Sequence, residues 1–261
     1  MQLVIFIVVI IVVAGLLVGL SNRKSLNESF LATQDTITIG LRSDIAPFGS
    51  LDEHGEIAGY DRDYIDAVLA VLFPEGGKLY DYVEITSLDA GANIKYGVTD
   101  INLGLLIPGA DKVSGFLLTE PYCYDRAVVV THGDSRLDKL ENMQGGKLGV
   151  LNTTIPISRV EDFLEERSLS YEVLRYTDYE SIMIDISNGV LNAVVVPEVI
   201  AQQFENAGFR VLAEPLFDVG YAIMLPTGQT AVQSEFNRII HQFEQDGTAG
   251  RLREKWGISQ N

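Results

Sequence analysis

Cysteine is nearly absent. The one thiol, Cys123, excludes an intrachain disulfide, and with only three scattered histidines (His54, His132, His241) it also excludes Cys₂His₂ and Cys₄ zinc centres. Basic residues are scarce: 19 Lys and Arg stand against 36 Asp and Glu, for a net charge of −17. Such a field repels nucleic-acid backbone and anionic lipid, so no nucleic-acid partner is expected. Prolines number only 8, and no low-complexity tract or fixed repeat interrupts the chain. With 47% hydrophobic and 21% charged residues, a well-cored fold is expected rather than disorder. Catalytic signatures are missing too, since GxGxxG after the first strand, GxxxxGK[ST], HExxH and GxSxG do not occur. Cys123 has Arg126 as its only basic neighbour, which reads as a buried, inert thiol more readily than as a nucleophile. Acidic pairs such as Asp61/Asp63 and Glu165/Glu166 suit solvated helix faces. No cofactor or metal is expected, and the balance points away from an enzyme.

What is present begins with an uninterrupted run of apolar residues and glycine, Leu3 to Leu20, followed by Arg23 and Lys24. At ~1.5 Å per residue the run reaches about 27 Å, close to the hydrocarbon thickness of a membrane. Two readings stand: an export signal cleaved near Gly19-Leu20-Ser21, or an uncleaved anchor, both within residues 1–21. A polar spacer, residues 22–35, follows. Strand and helix patterns then alternate. Strands are expected at Thr36–Leu41, Tyr82–Thr86, Asp100–Leu106 and Ala127–Val130, with an apolar helical stripe over Asp63–Phe73. A second set has strands Lys147–Leu151, Tyr171–Tyr176 and Asn192–Val196, alternating with helices Ser158–Glu166, Tyr179–Ser187 and Glu198–Asn206. Strand Tyr221–Leu225, helix Gln229–Gln245 and a closing segment Gly250–Trp256 complete the chain. Helices between short strands imply parallel sheets and an α/β class, and two such sets imply two lobes. In open α/β sheets ligands sit beyond the carboxyl ends of strands, so function is sought in the loops there.

Several stretches carry a resemblance. Gly40-Leu41-Arg42-Ser43-Asp44-Ile45-Ala46-Pro47-Phe48 is followed by Asp52-Glu53-His54-Gly55-Glu56-Ile57-Ala58-Gly59-Tyr60-Asp61. Then come Gly97-Val98-Thr99-Asp100-Ile101-Asn102-Leu103-Gly104, Thr119-Glu120-Pro121-Tyr122 and Gly146-Lys147-Leu148-Gly149-Val150-Leu151-Asn152-Thr153-Thr154. The tail runs Asp246-Gly247-Thr248 to Lys255-Trp256-Gly257. In order and spacing, across about residues 36–258, these resemble family 3 solute-binding proteins, the polar amino-acid receptors of ABC transporters. The resemblance implies a two-lobed type II periplasmic-binding-protein fold with two hinge crossovers. Lobe 1 would be 36–126 with 221–258, and lobe 2 would be 127–220. It implies a monomer on the periplasmic or extracellular face, secreted or tethered by the N-terminal segment, and an ABC permease as partner.

The resemblance also implies a site. Arg42 ends the first strand, where a guanidinium would grip a carboxylate with two parallel bonds; a surface salt bridge to Asp44 or Asp61 is the alternative. Lys112 falls where the family has the arginine for the ligand's α-carboxylate. Leu105 and Ile107 stand where small or hydroxyl residues are usual, and Asp44 and Phe48 flank the same strand end. Thr153 and Thr154, before Pro156 and a helix, suit a carboxylate or serve as caps. Pro197 replaces the acid that takes the α-ammonium; Glu198 is adjacent and either substitutes for it or merely favours the helix dipole.

The function these readings imply is capture of a small carboxylate-bearing solute, an amino acid or related organic acid, between two lobes, and its presentation to an ABC transporter. The alternatives are a dehydratase-like enzyme acting on arogenate- or prephenate-like acids, with Glu198 or Asp44 as the acid, and a sensory or degenerate ligand-binding domain.

Overall fold

The computed structural model describes residues 29–86, 88–136, 138–142 and 145–258. The expected signal or anchor at residues 1–21, and the start of the spacer, lie outside the described residues. The end of the spacer is tied down. A short helix α1 (Phe30–Thr33), opened by Ser29, buries Leu31 fully, and the Lys78 ammonium donates to the carbonyls of Ala32 and Gln34. Among the described residues no helix is long and apolar enough to cross a membrane.

Two sheets organise the rest. The first begins with β1 (Thr36–Leu41), where alternating Ile37, Ile39 and Leu41 are buried and β-branched residues favour the extended chain. A three-stranded meander follows: β2 (Asp44–Ile45), β3 (Gly49–Leu51) and β4 (Ile57–Ala58). Helix α2 (Tyr60–Leu72) turns Tyr60, Tyr64, Ile65, Val68 and Leu69 inward. Its entry needs a glycine. Gly59 has φ +149°, and a Cβ there would meet the Phe48 carbonyl oxygen at 2.2 Å. β5 (Leu79–Glu84) and β6 (Ile101–Asn102) flank β1 in parallel, with α3 (Ala90–Lys95) between them in the chain. β7 (Leu117–Leu118) closes this sheet's edge.

The chain then leaves for the second sheet along β8 (Cys123–Thr131). β9 (Gly146–Leu151), β10 (Tyr171–Tyr176) and β11 (Ala193–Pro197) are parallel to one another, while β8 runs antiparallel to β11. Helices α4 (Ile157–Glu166), α5 (Tyr179–Ser187) and α6 (Glu198–Asn206) follow those three strands in turn, and β12 (Arg210–Val211) pairs with the far half of β8. β13 (Phe217–Tyr221) runs back along the near half of β8, placing Phe217 opposite Ala127 and Tyr221 opposite Cys123. β14 (Met224–Leu225) then re-enters the first sheet between β6 and β7. The strand expected over Tyr221–Leu225 is therefore two strands in two sheets. Helices α7 (Thr230–Gln245) and α8 (Thr248–Lys255) return to α2, where the Trp256 indole N–H and the Lys255 ammonium both reach Asp63 Oδ2, at 2.7 and 2.5 Å. The fold is the two-lobed α/β arrangement expected, with two antiparallel strands carrying the chain between sheets.

Packing at this junction is aromatic. Phe48 meets Tyr60 and Tyr221 edge-on with centroids 5.7 and 5.1 Å apart, and Tyr64 meets Tyr122 at 5.0 Å. Cys123 is buried there, and burial pushes its thiol up to about 12, the behaviour of an inert core cysteine.

Candidate functional site

β1 delivers Arg42 to the gap between the sheets. Its stem lies against Gly104, where a Cβ would sit 2.8 Å from Arg42 Cγ, so only glycine leaves room for it. Gly104 and Leu105 both have positive φ, +124° and +54°, and this pair turns the chain out of β6. That turn ends the strand expected over Asp100–Leu106 after Asn102. It also buries Leu105 and Ile107 in the core.

Arg42 is 4% exposed, yet it donates from Nε and Nη2 to the two Asp44 carboxylate oxygens, each at 2.7 Å. Asp44 is 64% exposed. Burial alone would lower the Arg42 pKa, and the Asp44 bonds and charge more than offset this. Burial would raise Asp44; the guanidinium overrides it and holds the carboxyl below its usual range. The remaining Arg42 nitrogen, Nη1, is buried without a hydrogen-bond partner. The pair is thus neither a surface salt bridge nor a closed one.

Around it stand further buried donors. Lys112, on the 3₁₀ turn Asp111–Val113, buries its ammonium with no partner, and burial first, then the Arg42 charge, push it down to about 7. From the second sheet, the loop after β9 brings Asn152, Thr153 and Thr154. Thr154 Oγ1 donates to the Leu151 carbonyl at 3.2 Å, while Thr153 Oγ1 and Asn152 Oδ1 are buried and unpartnered. Neither threonine caps α4, whose N-cap is Pro156 without a side-chain bond, so capping does not account for them. Tyr179, first residue of α5, faces Arg42 electrostatically and has a buried, unpartnered hydroxyl. The two halves touch at this place. The Asp111 amide donates to the Asn152 carbonyl at 3.2 Å, and Asn152 Nδ2 donates to Asp111 Oδ2 at 2.7 Å.

Behind Arg42, the Asp61 carboxyl at the start of α2 is 1% exposed, and it accepts from the Tyr122 hydroxyl at 2.5 Å. Burial pushes it up to about 7, against the opposing effects of Tyr122 and Arg42.

The structure therefore brings Arg42, Asp44, Lys112, Thr153 and Thr154 together, and places Leu105 and Ile107 in the core beneath. Phe48 and Glu198 are elsewhere. Phe48 belongs to the aromatic junction. Glu198 pairs with Arg126 through bonds of 2.8 and 2.5 Å. Both line a cavity of about 440 Å³ beside β8, with Tyr124, Asp125 and Ile258, whose lining includes none of Arg42, Lys112 or Thr153. Tyr179, Asn152 and Asp61 stand around the same gap; the sequence offers Asp61 only as a surface partner of Arg42, Asn152 only as part of the motif before the two threonines, and Tyr179 in no such role. Tyr179 follows β10 and Asn152 follows β9, so the rule placing ligands beyond strand ends could have found them.

Residues 37–259 match the model of the bacterial extracellular solute-binding proteins, family 3. The chain belongs to this family. Among its relatives, the lysine/arginine/ornithine-binding periplasmic protein of Escherichia coli (strain K12) is 25% identical over 265 residues, covering 94% of this chain and 95% of that one. An arginine 3rd transport system periplasmic binding protein from Legionella pneumophila superposes with a TM-score of 0.67 at 20% identity, over 85% of this chain and 100% of that chain. The ancestral amino acid-binding protein AncCDT-1, a precursor of cyclohexadienyl dehydratase, superposes with a TM-score of 0.65 at 19% identity, over 89% and 99%. At these identities the structural likenesses concern the fold. All three proteins are named as binding proteins, and the dehydratase alternative gains no support from them. Among the described residues no group of three or more His, Cys, Asp or Glu is placed to hold a metal ion.

Proposed function

We propose that this chain captures a small carboxylate-bearing solute between lobe 1 (36–126 with 221–258) and lobe 2 (127–220), on the periplasmic or extracellular face, and presents it as a monomer to an ABC permease. One observation carries the reading. Arg42 Nη1, Lys112 Nζ, Thr153 Oγ1 and the Tyr179 hydroxyl are all buried donors without partners, drawn from both sheets around one gap. A dry, unpaired donor costs about 1–3 kcal/mol, and more when charged, so an acceptor-rich anion bridging both lobes relieves several such costs at once. That gain exists only when the lobes meet, which is the differential affinity a closing receptor needs.

The same cations argue against the ligand named for the Escherichia coli relative. A guanidinium or ammonium side chain beside Arg42 and Lys112 would crowd three positive charges. The solute is a neutral or acidic amino acid, or an organic acid; with Pro197 at the end of β11, an α-ammonium finds no acid there.

Thermal-shift measurements on the full chain, against amino acids, mono- and dicarboxylates and aromatic acids, test this. A binder at 100 times its Kd adds about 2.7 kcal/mol and raises Tm visibly. A flat response to every carboxylate, or a rise with cationic amino acids alone, overturns the reading.

A further inference from the structure

Asp44 is the one acid that enters the cationic cluster from its solvent side. Its two oxygens take two of the donors of Arg42, in the geometry a free carboxylate would adopt. It is 64% exposed and Arg42 is its only side-chain partner among the described residues, so water can re-solvate it when it is displaced. Lys112 lies close enough to both for its charge to be felt by each. Among the described residues, the charged and titratable groups that act on Arg42 or Lys112 are these two on each other, Asp44, Tyr179 and Asp61. Asp61 sits behind Arg42, buried against Tyr122, and Asp111 is turned to Asn152 Nδ2. Below about pH 7, where Lys112 is protonated and Asp61 keeps its proton, Arg42, Lys112 and Asp44 leave the cluster one positive charge from neutrality.

We propose that Asp44 is a resident carboxylate that sets the charge class of the solute: it satisfies two donors of Arg42, leaves Arg42 Nη1 and Lys112 for one further carboxylate, and so selects monoanions over dianions. This rests on the carboxylate-binding reading above. A dianion leaves a net negative charge in a water-poor gap or has to evict Asp44, and either costs affinity. A monoanion completes the balance. Asp44 is a specificity-determining residue, acting by charge and by occupancy of a fork the solute would otherwise take.

The experiment compares the full chain with Asp44→Asn and Asp44→Ala, using calorimetry and thermal shift with L-lactate and pyruvate as monoanions and succinate and L-malate as dianions. The wild type is expected to bind at least one monoanion tenfold more tightly than either dianion. Both variants are expected to gain tenfold or more for succinate or malate, so that the ranking narrows or inverts. Because both side-chain bonds of the buried Arg42 go to Asp44, the ligand-free Tm of both variants is expected to fall, less for Asn than for Ala, so each ligand response is read against that variant's own ligand-free Tm. If the monoanions bind wild type and neither variant alters the ranking, the role of Asp44 is overturned while the carboxylate site stands. If no probe gives heat or a Tm rise with any of the three proteins, the carboxylate reading itself fails, and this inference with it.

Discussion

Two arginines in this molecule make the same bond pattern in different surroundings. Arg42 grips Asp44, and Arg126 grips Glu198, each through Nε and Nη2 to both carboxylate oxygens. Arg126 and Glu198 are 32% and 38% exposed, whereas Arg42 is 4% exposed. Beside β8, water can serve whatever the ion pair leaves unbonded. In the interlobe gap it cannot, and Arg42 Nη1 stays dry and unpaired next to an equally dry Lys112 ammonium. The bidentate pair itself does not mark a binding site. The unfinished balance around one of the two pairs is what the proposed site rests on.

The comparison breaks most directly at Arg42. Arg42→Ala removes the charged donor the solute would meet, at a cost of about 2–5 kcal/mol of affinity for a buried charged contact. The ligand-induced Tm rise should vanish in thermal shift, with Kd at least about thirtyfold weaker by calorimetry. Lys112→Met sharpens the point, because it removes an ammonium that burial has pushed down to about 7. Affinity for a carboxylate should fall, yet the ligand-free protein should become more stable near neutral pH, since an unpaired buried charge is replaced by a well-packing chain. A loss of ligand-free stability in Lys112→Met would contradict the unpaired state.

Behind Arg42 the titration of Asp61 gives the next effect, on the order of a few kcal/mol. Its folded pKa is raised from 3.8 to about 7, so the folded chain holds a proton that the unfolded chain has released. The stability this contributes is full below about pH 4 and is lost as pH rises through about 7. Asp61→Asn cannot titrate. Urea melts of both proteins from pH 4 to 8 should therefore show the variant gaining on the wild type as pH rises; parallel curves would mean Asp61 is not the titrating group.

The element pattern was largely legible in the sequence, and the departures have local causes. Thr36–Leu41, Tyr171–Tyr176, Tyr179–Ser187 and Glu198–Asn206 occur as read, because their alternating or helical stripes face a single core. The strand at Asp100 is cut short by left-handed backbone at Leu105, a conformation a non-glycine residue does not announce. Tyr221–Leu225 is apolar throughout, so its division between two sheets follows from strand pairing with Cys123 and Asn102 and not from composition. At the site, Arg42, Lys112 and the two threonines could be read from motif order. Tyr179 was within reach only of the rule that ligands sit beyond strand ends, since on its own helix it is an ordinary first-turn residue. No local pattern shows that its ring comes within electrostatic reach of Arg42 from the other sheet. Glu198 shows the converse: a sequence neighbour of Pro197, its side chain is claimed by Arg126 from the adjacent strand.

Contact between the halves supplies a smaller test. Asn152 Nδ2 holds Asp111 across the gap at 2.7 Å, at an exposed rim. Asn152→Ala removes this one bond, worth about 0.5–1.5 kcal/mol net. If lobe contact and binding are one event, Kd weakens by about two- to tenfold while the ligand-free Tm barely moves. An unchanged Kd would place the Asp111–Asn152 contact outside the binding step.

The smallest effect belongs to the other arginine, and its smallness is the point. Arg126→Ala removes both bonds to Glu198, but each side chain is about a third exposed, and an exposed ion pair contributes about 0–1 kcal/mol. Glu198 is then re-solvated rather than stranded, because the cavity it lines lies along β8 and α6. Thermal denaturation should show a shift of no more than a few degrees, and solute affinity should stay within about threefold of wild type. The equivalent removal at Arg42 acts on a group that no water can replace. Should Arg126→Ala instead abolish solute binding while Arg42→Ala spares it, the site lies on the β8 side of the molecule, with Glu198 and not Asp44 as its working carboxylate.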